Sequence, residues 1–405
     1  MTMHPTVRYL DRTTPPHLTT LVLIAGIAAL SLNIFLPSLP SMALAFGVDY
    51  AMMQLSLSLY LVSTAVLQVL IGPISDHFGR RPVMLGATAI FTLASVGVLV
   101  APNFAIFLTC RLVQAVIATG FVLSRAVVRD MVPQDQAASM IGYVTMGMSI
   151  VPMIGPVIGG ALDSAFGWEA SFVILALSGL GLMALIWADM GETAVNRSAS
   201  FTEQFRQYPA LLSSQRFWGY CLAAAFASGA FFAYLGGAPY VGTTFYAMDP
   251  ATLGLYFGAP ALGYMIGNFL SGRYSVRVGV NAMVFWGAML STCGMGLLAI
   301  VDLFAGAGPA WFFGLMITVG LGNGILMPNA TAGMLSVRPN LAGSAAGLGG
   351  AFLIAGGAAL SALAGFLLGP QTGPMPLILL MLATSAGAIL SILWVKHRER
   401  RIAAA

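Results

Sequence analysis

Charged residues are scarce in this sequence. Only 7% of its 405 residues are Asp, Glu, Lys or Arg, whereas 59% are hydrophobic. A soluble protein carries about a quarter charged residues, so most of this surface cannot face water. The composition therefore excludes a soluble globular protein and predicts an integral membrane protein.

Three further absences exclude classes of function. The three cysteines all lie inside apolar runs, which argues against a disulfide framework. The four histidines are scattered near the ends of apolar runs or in the tails, without the clustering of a metal site. No glycine-rich phosphate loop or ATP-binding module is recognisable. We therefore expect no cofactor, no metal and no nucleic-acid partner, and any energy input has to come from a gradient.

Twelve apolar runs are long enough, at roughly 20 residues, to cross a bilayer as helices. They lie at about 18–39, 50–71, 83–101, 104–124, 138–162, 169–189, 216–240, 250–271, 280–301, 309–329, 342–367 and 375–395. Membrane-barrel strands would be shorter and would alternate. The first run is too long for a signal peptide and eleven more follow it. The runs predict an all-α membrane protein with twelve spans and both termini on one face.

The basic residues follow the loops in a single pattern. The two tails and the even-numbered loops hold sixteen of the seventeen Lys and Arg residues, and the odd-numbered loops hold none. The positive-inside rule makes this face cytoplasmic. We therefore expect a multi-pass protein of the inner (plasma) membrane with both termini in the cytoplasm.

The chain repeats itself at an offset of 200 residues. The matched pairs are Asp49 and Asp249, Gln68 and Asn268, Gly72 and Gly272, and Gly79 and Gly279. The repeat predicts two pseudo-symmetric six-helix halves, 1–190 and 216–405, joined by a cytoplasmic linker at 191–215. The linker stretch "FTEQFRQY" is either an amphipathic surface helix or a solvated connection. Two parallel halves with a path between them are typical of transporters.

The loop after the second run, "GPISDHFGRRP", concentrates charge between two uncharged runs. We expect Gly72 and Pro73 to end one helix and Gly79 to permit a tight turn. Asp76 can sit at a helix N-terminus or pair with arginines of a neighbouring loop. The alternative, a plain basic loop, explains Arg80 and Arg81 but leaves the glycines flanking the acid unexplained.

The fourth run contains Arg111, the only formal charge well inside any apolar run. It lies roughly 10–12 Å from the outer end of its helix, where an arginine costs at least a few kcal/mol unless it faces a cavity or a partner. Gln114 follows one turn later on the same face. The alternative is an arginine whose long side chain reaches the outer surface. Arg125, Arg129 and Asp130, at the inner end of this helix, are candidate partners for Asp76.

The fifth run contains "MIGPVIGGAL", with Gly155, Pro156, Gly159 and Gly160. Small residues four apart let helices pack closely, and an internal proline bends the helix. Ordinary small-residue packing is the alternative to a functional motif here.

These motifs together resemble the major facilitator superfamily. Its signature between spans two and three is matched by Gly72, Asp76, Gly79, Arg80, Arg81 and Pro82. Arg111 with Gln114 is similar to the R-x-x-Q motif of span four, and the fifth run is similar to the G-P-x-x-G-G motif of exporters. The resemblance implies a cytoplasmic latch whose acid contacts the other half and the end of span four. Val276 replaces that acid in the second copy, so we expect the latch mainly in the first half.

The first run ends "LSLNIFLPSLP", which resembles the Bcr/CflA-type drug exporters. Leu36, Pro37 and Pro40 match their D-x-Y-L-P-x-x-P pattern, but Asn33 replaces the aspartate and Phe35 the tyrosine. The resemblance implies a monomeric exporter of drug-like amphipathic molecules that exchanges them for protons. Export of an endogenous metabolite is the alternative. A membrane-embedded enzyme is remote, because the spans offer no acid or histidine at depth.

Several polar and aromatic residues are candidates for a substrate or proton pathway. The set is Arg111, Gln114, Asn33, Tyr60, Gln68, Tyr234, Tyr264, Asn268 and Asn323. A cavity that holds Arg111 and no counter-acid would disfavour lipophilic cations. We therefore expect neutral or weakly anionic amphipathic substrates. Either a proton carrier lies at a membrane edge, such as Asp76 or Asp130, or the coupling to protons is weak.

Overall fold

The computed structural model of the chain describes residues 7–132, 134–194, 209, 211–338 and 342–403. Ten of the helices in this described part are long and apolar enough to cross a membrane, and two further helical units complete twelve spans. Spans 1 to 6 are Leu18–Phe46, Tyr50–Phe78, Arg80–Leu99, Phe104–Met131, Gln134–Phe166 and Glu169–Asp189. Spans 7 to 12 are Gln215–Phe245, 250–278, Val280–Ala305, Pro309–Ser336, Ala342–Leu367 and Met375–Ala403. The predicted all-α membrane fold is confirmed. The linker stretch "FTEQFRQY" lies outside the described residues.

Several spans are broken helices, and the breaks fall next to prolines or glycines. Span 1 changes to a 3-10 turn at Leu36–Ser38 and resumes as Leu39–Phe46, with prolines in both first turns. Span 8 consists of Pro250–Phe257 and Ala259–Val278, separated at Gly258. A proline removes a backbone donor and crowds the preceding turn, so helix pieces restart at such positions.

One end of the bundle carries both tails and the basic loops and is called here the basic face. At this end the helices extend further than the apolar runs. Span 2 was expected to end at Gly72 and Pro73, and this is wrong, because the helix continues to Phe78. A proline deletes one donor but does not by itself stop a helix near its end. The chain turns only at Gly79, whose φ of 98° is a conformation that favours glycine.

The two halves repeat at matched positions, as the sequence predicted. Gly79 and Gly279 have φ/ψ of 98°/151° and 89°/147°, and each separates the second helix of its half from the third. Asp49 and Asp249 precede spans 2 and 8 in the same extended conformation. Spans 1–6 pack mainly on one another, as do spans 7–12. The bundle is therefore two pseudo-symmetric six-helix halves.

The hydrogen bonds between the halves lie near the face opposite the basic face. The Tyr50 hydroxyl donates to Gly236 O at 2.6 Å, and Gln54 Nε2 donates to Ser361 O at 2.6 Å. Ala251 N donates to the Ser164 hydroxyl at 3.1 Å. Gln54 Nε2 also donates to the Ser361 hydroxyl at 2.7 Å. The hydrogen bonds between the halves that the described residues show thus concentrate at one end.

Span 5 crosses both span 1 and span 8 at backbone contact distance. A Cβ atom on Gly159 would overlap Ile34 O of span 1, and one on Gly160 would overlap Pro250 O of span 8. Gly254 of span 8 abuts Pro156 O in return. The small residues of the "MIGPVIGGAL" stretch therefore let span 5 pack closely both on its own half and on the other half.

We predict that Gly160→Ala weakens the contact between the halves. The new methyl group must push span 8 away, and overpacking of this kind costs about 1–3 kcal/mol. A cysteine placed at Ser164, beside Ala251 of the other half, should then react at least several-fold faster with a thiol reagent that cannot cross the membrane. Gly181→Ala is the matched control, because nothing lies within 4 Å of a Cβ there. Equal labelling rates in all three backgrounds would show that this crossing does not hold the halves together.

Candidate functional site

Arg111 lies in an aromatic cage inside the N-terminal half. Its side chain is fully buried, at 0% exposure. The guanidinium carbon lies 4.2 Å from the ring centre of Phe35, 4.6 Å from that of Tyr60 and 5.6 Å from that of Phe172. Each ring face attracts a cation, and more strongly where water is excluded. Spans 1, 2 and 6 thus each contribute one ring to a charge carried by span 4.

Polar groups complete the cage. Arg111 Nη1 donates to Gln114 Oε1 at 2.5 Å, and Gln114 Nε2 donates to the Ser95 hydroxyl of span 3 at 2.6 Å. Arg111 Nη2 reaches Ser31 O of span 1 at 3.5 Å. The helix tightens to a 3-10 turn directly after Gln114. The expectation that Arg111 lines an open cavity is not met in this conformation, and the side chain does not reach the outer surface either.

Asn33 occupies the position where related exporters carry an acid, at the end of the first helical piece of span 1. It is 2% exposed, and its Nδ2 donates to Ala29 O at 2.6 Å. Gly155 of span 5 packs beside it. A Cβ atom added to Gly155 would lie 3.4 Å from the Cβ of Asn33. The amide is therefore satisfied by its own helix at the seam between spans 1 and 5.

Two of the predicted aromatic residues, Tyr60 and Tyr234, are each buried inside their own half. Tyr60 belongs to the arginine cage, and its hydroxyl donates to the Ser31 hydroxyl at 3.3 Å. Tyr234 of span 7 stacks on Phe257 at 4.8 Å between ring centres and donates to Phe257 O at 3.1 Å. Both side chains therefore serve packing in this conformation.

Of the remaining predicted pathway residues, Gln68, Tyr264 and Asn268 are less enclosed, whereas Asn323 is buried. Gln68 and Tyr264 are half-buried, and Gln68 lies beside Gly350 of span 11 in the other half. Asn268 Nδ2 donates to Tyr264 O at 2.9 Å and lines a cleft of about 500 Å³. Asn323 is buried, and its Oδ1 accepts no hydrogen bond from the described residues.

Sequence reasoning missed Asn329, which lines the same cleft between spans 8 and 10. Its Nδ2 donates to the Ser271 hydroxyl at 2.9 Å. An asparagine in an apolar span is costly unless it is paired or faces a cavity. That cost alone could have identified Asn329 as a candidate.

The loop between spans 2 and 3, called here the latch loop, forms a charge network between the ends of spans 2 and 4. Asp76 pairs with Arg80 at 2.5 Å, and Arg80 Nε pairs with Asp130 at 3.1 Å. The predicted pairing of Asp76 with Arg125 or Arg129 is wrong. Both arginines are exposed and form no ion pair with the described residues. Asp76 lies four residues before Arg80 on adjoining helices, so the local partner reaches it first.

Glu192, which the sequence reading did not single out, caps the start of span 3. Its carboxylate accepts hydrogen bonds from Arg80 N at 2.9 Å and Arg81 N at 3.3 Å. The first backbone N–H groups of a helix have no partner within the helix and carry partial positive charge. The Arg81 side chain donates to Trp187 O at 3.0 Å, near the end of span 6. The chain that follows span 6 is thereby fixed to the latch loop.

The last span of each half ends near a carboxylate that holds the first span of the same half. Asp189 is fully buried and accepts from His17 N at 2.9 Å and from the Thr20 hydroxyl at 2.6 Å. Glu399 pairs with Arg216 at 2.8 Å, at the start of span 7. These contacts and the latch network all lie on the basic face, and each stays within one half.

Comparisons with known proteins agree with this architecture. The family model described as Major Facilitator Superfamily matches residues 21–362. The Chloramphenicol resistance protein of Pseudomonas aeruginosa is 30% identical over 320 residues, covering 78% of this chain and 76% of that protein. Multidrug resistance protein D of Escherichia coli (strain K12) is 27% identical and covers 94% of this chain and 95% of its own. The Bicyclomycin resistance protein homolog of Haemophilus influenzae is 27% identical over 88% of this chain and 90% of its own.

The fold comparison gives the same result. A crystal structure of a bacterial homolog to the human lysosomal transporter Spinster, in an inward-facing and occupied conformation, superposes with a TM-score of 0.70. It shares 16% identity and covers 95% of this chain and 96% of that one, so it speaks to the fold alone. The resemblance carried by the latch loop, the span-four pair and the end of span 1 is confirmed, and the chain belongs to the Major Facilitator Superfamily.

Proposed function

We propose that the chain is a secondary transporter that exports drug-like, small amphipathic compounds in exchange for protons. One observation carries the proposal: the described hydrogen bonds between the halves lie at one face, while the charged contacts of the other face stay within each half. Two such bodies can rock about a site at the membrane midplane, which is the transport cycle of this fold. The names of the relatives, which refer to chloramphenicol, multidrug and bicyclomycin resistance, support drug-like substrates.

The basic face is proposed to be cytoplasmic, with the halves at 1–190 and 216–405 and the linker at 191–215. The support is the placement of the Lys and Arg residues, since fourteen of the fifteen that the structure describes belong to this face. The protein would then act as a monomer in the inner membrane, with both termini inside. The hydrogen bonds between the halves would then lie at the outer side of the membrane.

The proposed substrates are uncharged or weakly anionic, for a reason that differs from the one given by the sequence. Arg111 is enclosed by its own cage, so it does not repel ligands across an open cavity in this conformation. No Asp or Glu lies deep in any span of the sequence. A cationic compound would lose its hydration without gaining a counter-charge, whereas a neutral one loses little.

Proton coupling is proposed to run through the carboxylates that share Arg80. Asp76 and Asp130 bind the same guanidinium from the ends of spans 2 and 4. A proton on either carboxylate removes one of the two charges that hold Arg80. The contact between the two helix ends then weakens, which connects protonation to movement.

Export should be visible as resistance. Bacteria that lack their own drug exporters and express this chain should tolerate chloramphenicol and similar neutral compounds at several-fold higher concentration. A permanently cationic dye should show a smaller increase, because its desolvation is not offset in the cavity. Normal membrane expression with no change in tolerance across a broad compound panel would favour the rival function, export of an endogenous metabolite.

Asp76→Asn should impair transport and leave substrate binding largely intact. The amide cannot hold Arg80 as an ion pair, so the two helix ends lose their charged link. We expect turnover in vesicles to fall several-fold while the Kd for a bound compound stays within about twofold. Asp11→Asn is the matched control, because the Asp11 carboxylate is half-exposed and bonds within its own turn, to Thr13. If both variants transport like the parent, the loop is only a topology signal.

Asn33→Asp should make export more dependent on pH and more tolerant of cations. A protonated carboxyl group can still donate to Ala29 O, as the amide does now. Loss of that proton would place a negative charge in span 1, where related exporters carry one. The ratio of cationic-dye to neutral-compound transport, measured from pH 5.5 to 8, should rise with pH in the variant and stay flat in the parent. A flat ratio in both would show that position 33 takes no part in selectivity or coupling.

A further inference from the structure

The two halves differ at the start of their third helix. In the N-terminal half, the Glu192 carboxylate accepts hydrogen bonds from Arg80 N and Arg81 N. It also occupies the space beside Gly79, where a Cβ atom would meet its oxygen. An anion therefore sits on the positive end of span 3, as helix N-termini favour.

The matching place in the C-terminal half is open. Gly279 has the same backbone conformation as Gly79, yet nothing lies within 4 Å of its Cβ position. Unlike span 3, span 9 begins with backbone N–H groups that no side chain of the described residues accepts. A cleft of about 470 Å³ opens there, lined by Arg216, Asn281, Ser336 and Lys396 among others.

The charge around this cleft is only partly neutralised by the protein. Glu399 already binds Arg216 at 2.8 Å and Asn281 Nδ2 at 2.6 Å. Lys396 lies 4.7 Å from the ring centre of Phe285 and has no acid partner among the described residues. On the basic face, the C-terminal half has eight Lys and Arg residues and a single acid. They are Arg216, Arg273, Arg277, Arg338, Lys396, Arg398, Arg400 and Arg401, against Glu399.

The N-terminal half shows no such excess. Its spans, its N-terminal tail and residues 191–194 of the linker place six arginines and six acids at the same face. They are Arg8, Arg12, Arg80, Arg81, Arg125 and Arg129, against Asp11, Asp76, Asp130, Asp135, Asp189 and Glu192. The half that carries its own capping carboxylate is balanced in charge, and the half with the open cleft is strongly positive.

We propose that the cleft binds the phosphate group of an anionic phospholipid, which takes the place that Glu192 holds in the other half. Backbone N–H groups at the start of span 9, with Lys396, supply the donors that a phosphate requires, while Arg216 stays paired with Glu399. The cleft lies at the membrane edge, where basic residues attract anionic headgroups. Val278 lines the cleft and is exposed, and Val276 beside it is 96% exposed. These apolar side chains favour a lipid, whose acyl chain can cover them, over free phosphate.

Binding is tested on the purified full-length protein after removal of native lipid. Phosphatidylglycerol, phosphatidylcholine or inorganic phosphate is added, and bound lipid is counted by native mass spectrometry. We expect retention of phosphatidylglycerol in clear preference to phosphatidylcholine. Lys396→Gln should weaken it about fivefold, since one basic residue near the surface contributes about that much. Arg398→Gln, on the same helix but outside the cleft, should have a smaller effect.

A second pair of variants tests whether a carboxylate supplied by the protein itself can replace the lipid phosphate. Ser336→Asp places a carboxylate in the cleft and should abolish the preference for phosphatidylglycerol, whereas Ser336→Asn should keep it. Melting curves of each variant show whether it is folded, and the binding readout does not depend on transport. Equal retention of both lipids, equal losses in Lys396→Gln and Arg398→Gln, or an unchanged preference in Ser336→Asp would each overturn the site. Displacement of the lipid by millimolar inorganic phosphate would overturn the assignment to a lipid and identify a soluble phosphate instead.

Discussion

A guanidinium group inside a bilayer has to be partnered by the protein around it, because hydrocarbon offers no hydrogen bond and arginine keeps its charge at working pH. Arg111 meets this constraint in large part through the rings of Phe35, Tyr60 and Phe172 and through Gln114, which Ser95 holds in turn, while its Nε has no acceptor among the described residues. These residues come from spans 1, 2, 3, 4 and 6. One buried charge thus fixes five helices of the N-terminal half relative to one another.

Several carboxylates of the basic face are likewise partnered within the protein. Asp189 and Glu399 each bind the first span of their own half, and Arg80 joins Asp76 to Asp130 within one half. The contacts between the halves are of another kind. They are helix crossings at glycine residues and a few hydrogen bonds near the face opposite the basic face. Strong interactions therefore lie inside each half and weaker ones between them. This distribution lets two rigid bodies move without breaking a buried ion pair.

Much of this architecture is predictable from sequence, because bilayer thickness fixes span length and the paired glycines mark equivalent turns. The Arg111–Gln114 contact is also predictable, since one helical turn separates the two residues. The cage is not, because Phe35 and Phe172 are brought to Arg111 only by the packing of distant spans. The end of span 2 was misjudged because Pro73 was taken to stop the helix. Glu192 was missed because a carboxylate in a polar linker shows no periodic pattern.

Proton-coupled export is tested most directly in proteoliposomes that contain only the purified chain. A pH gradient, acidic inside, is imposed, and uptake of radiolabelled chloramphenicol is followed with and without a protonophore. The account predicts uphill accumulation that collapses when the gradient is removed and that is strongly reduced in the Asp76→Asn variant. Uptake that only equilibrates the compound, with the same rate and extent whether or not the gradient is present, would contradict it.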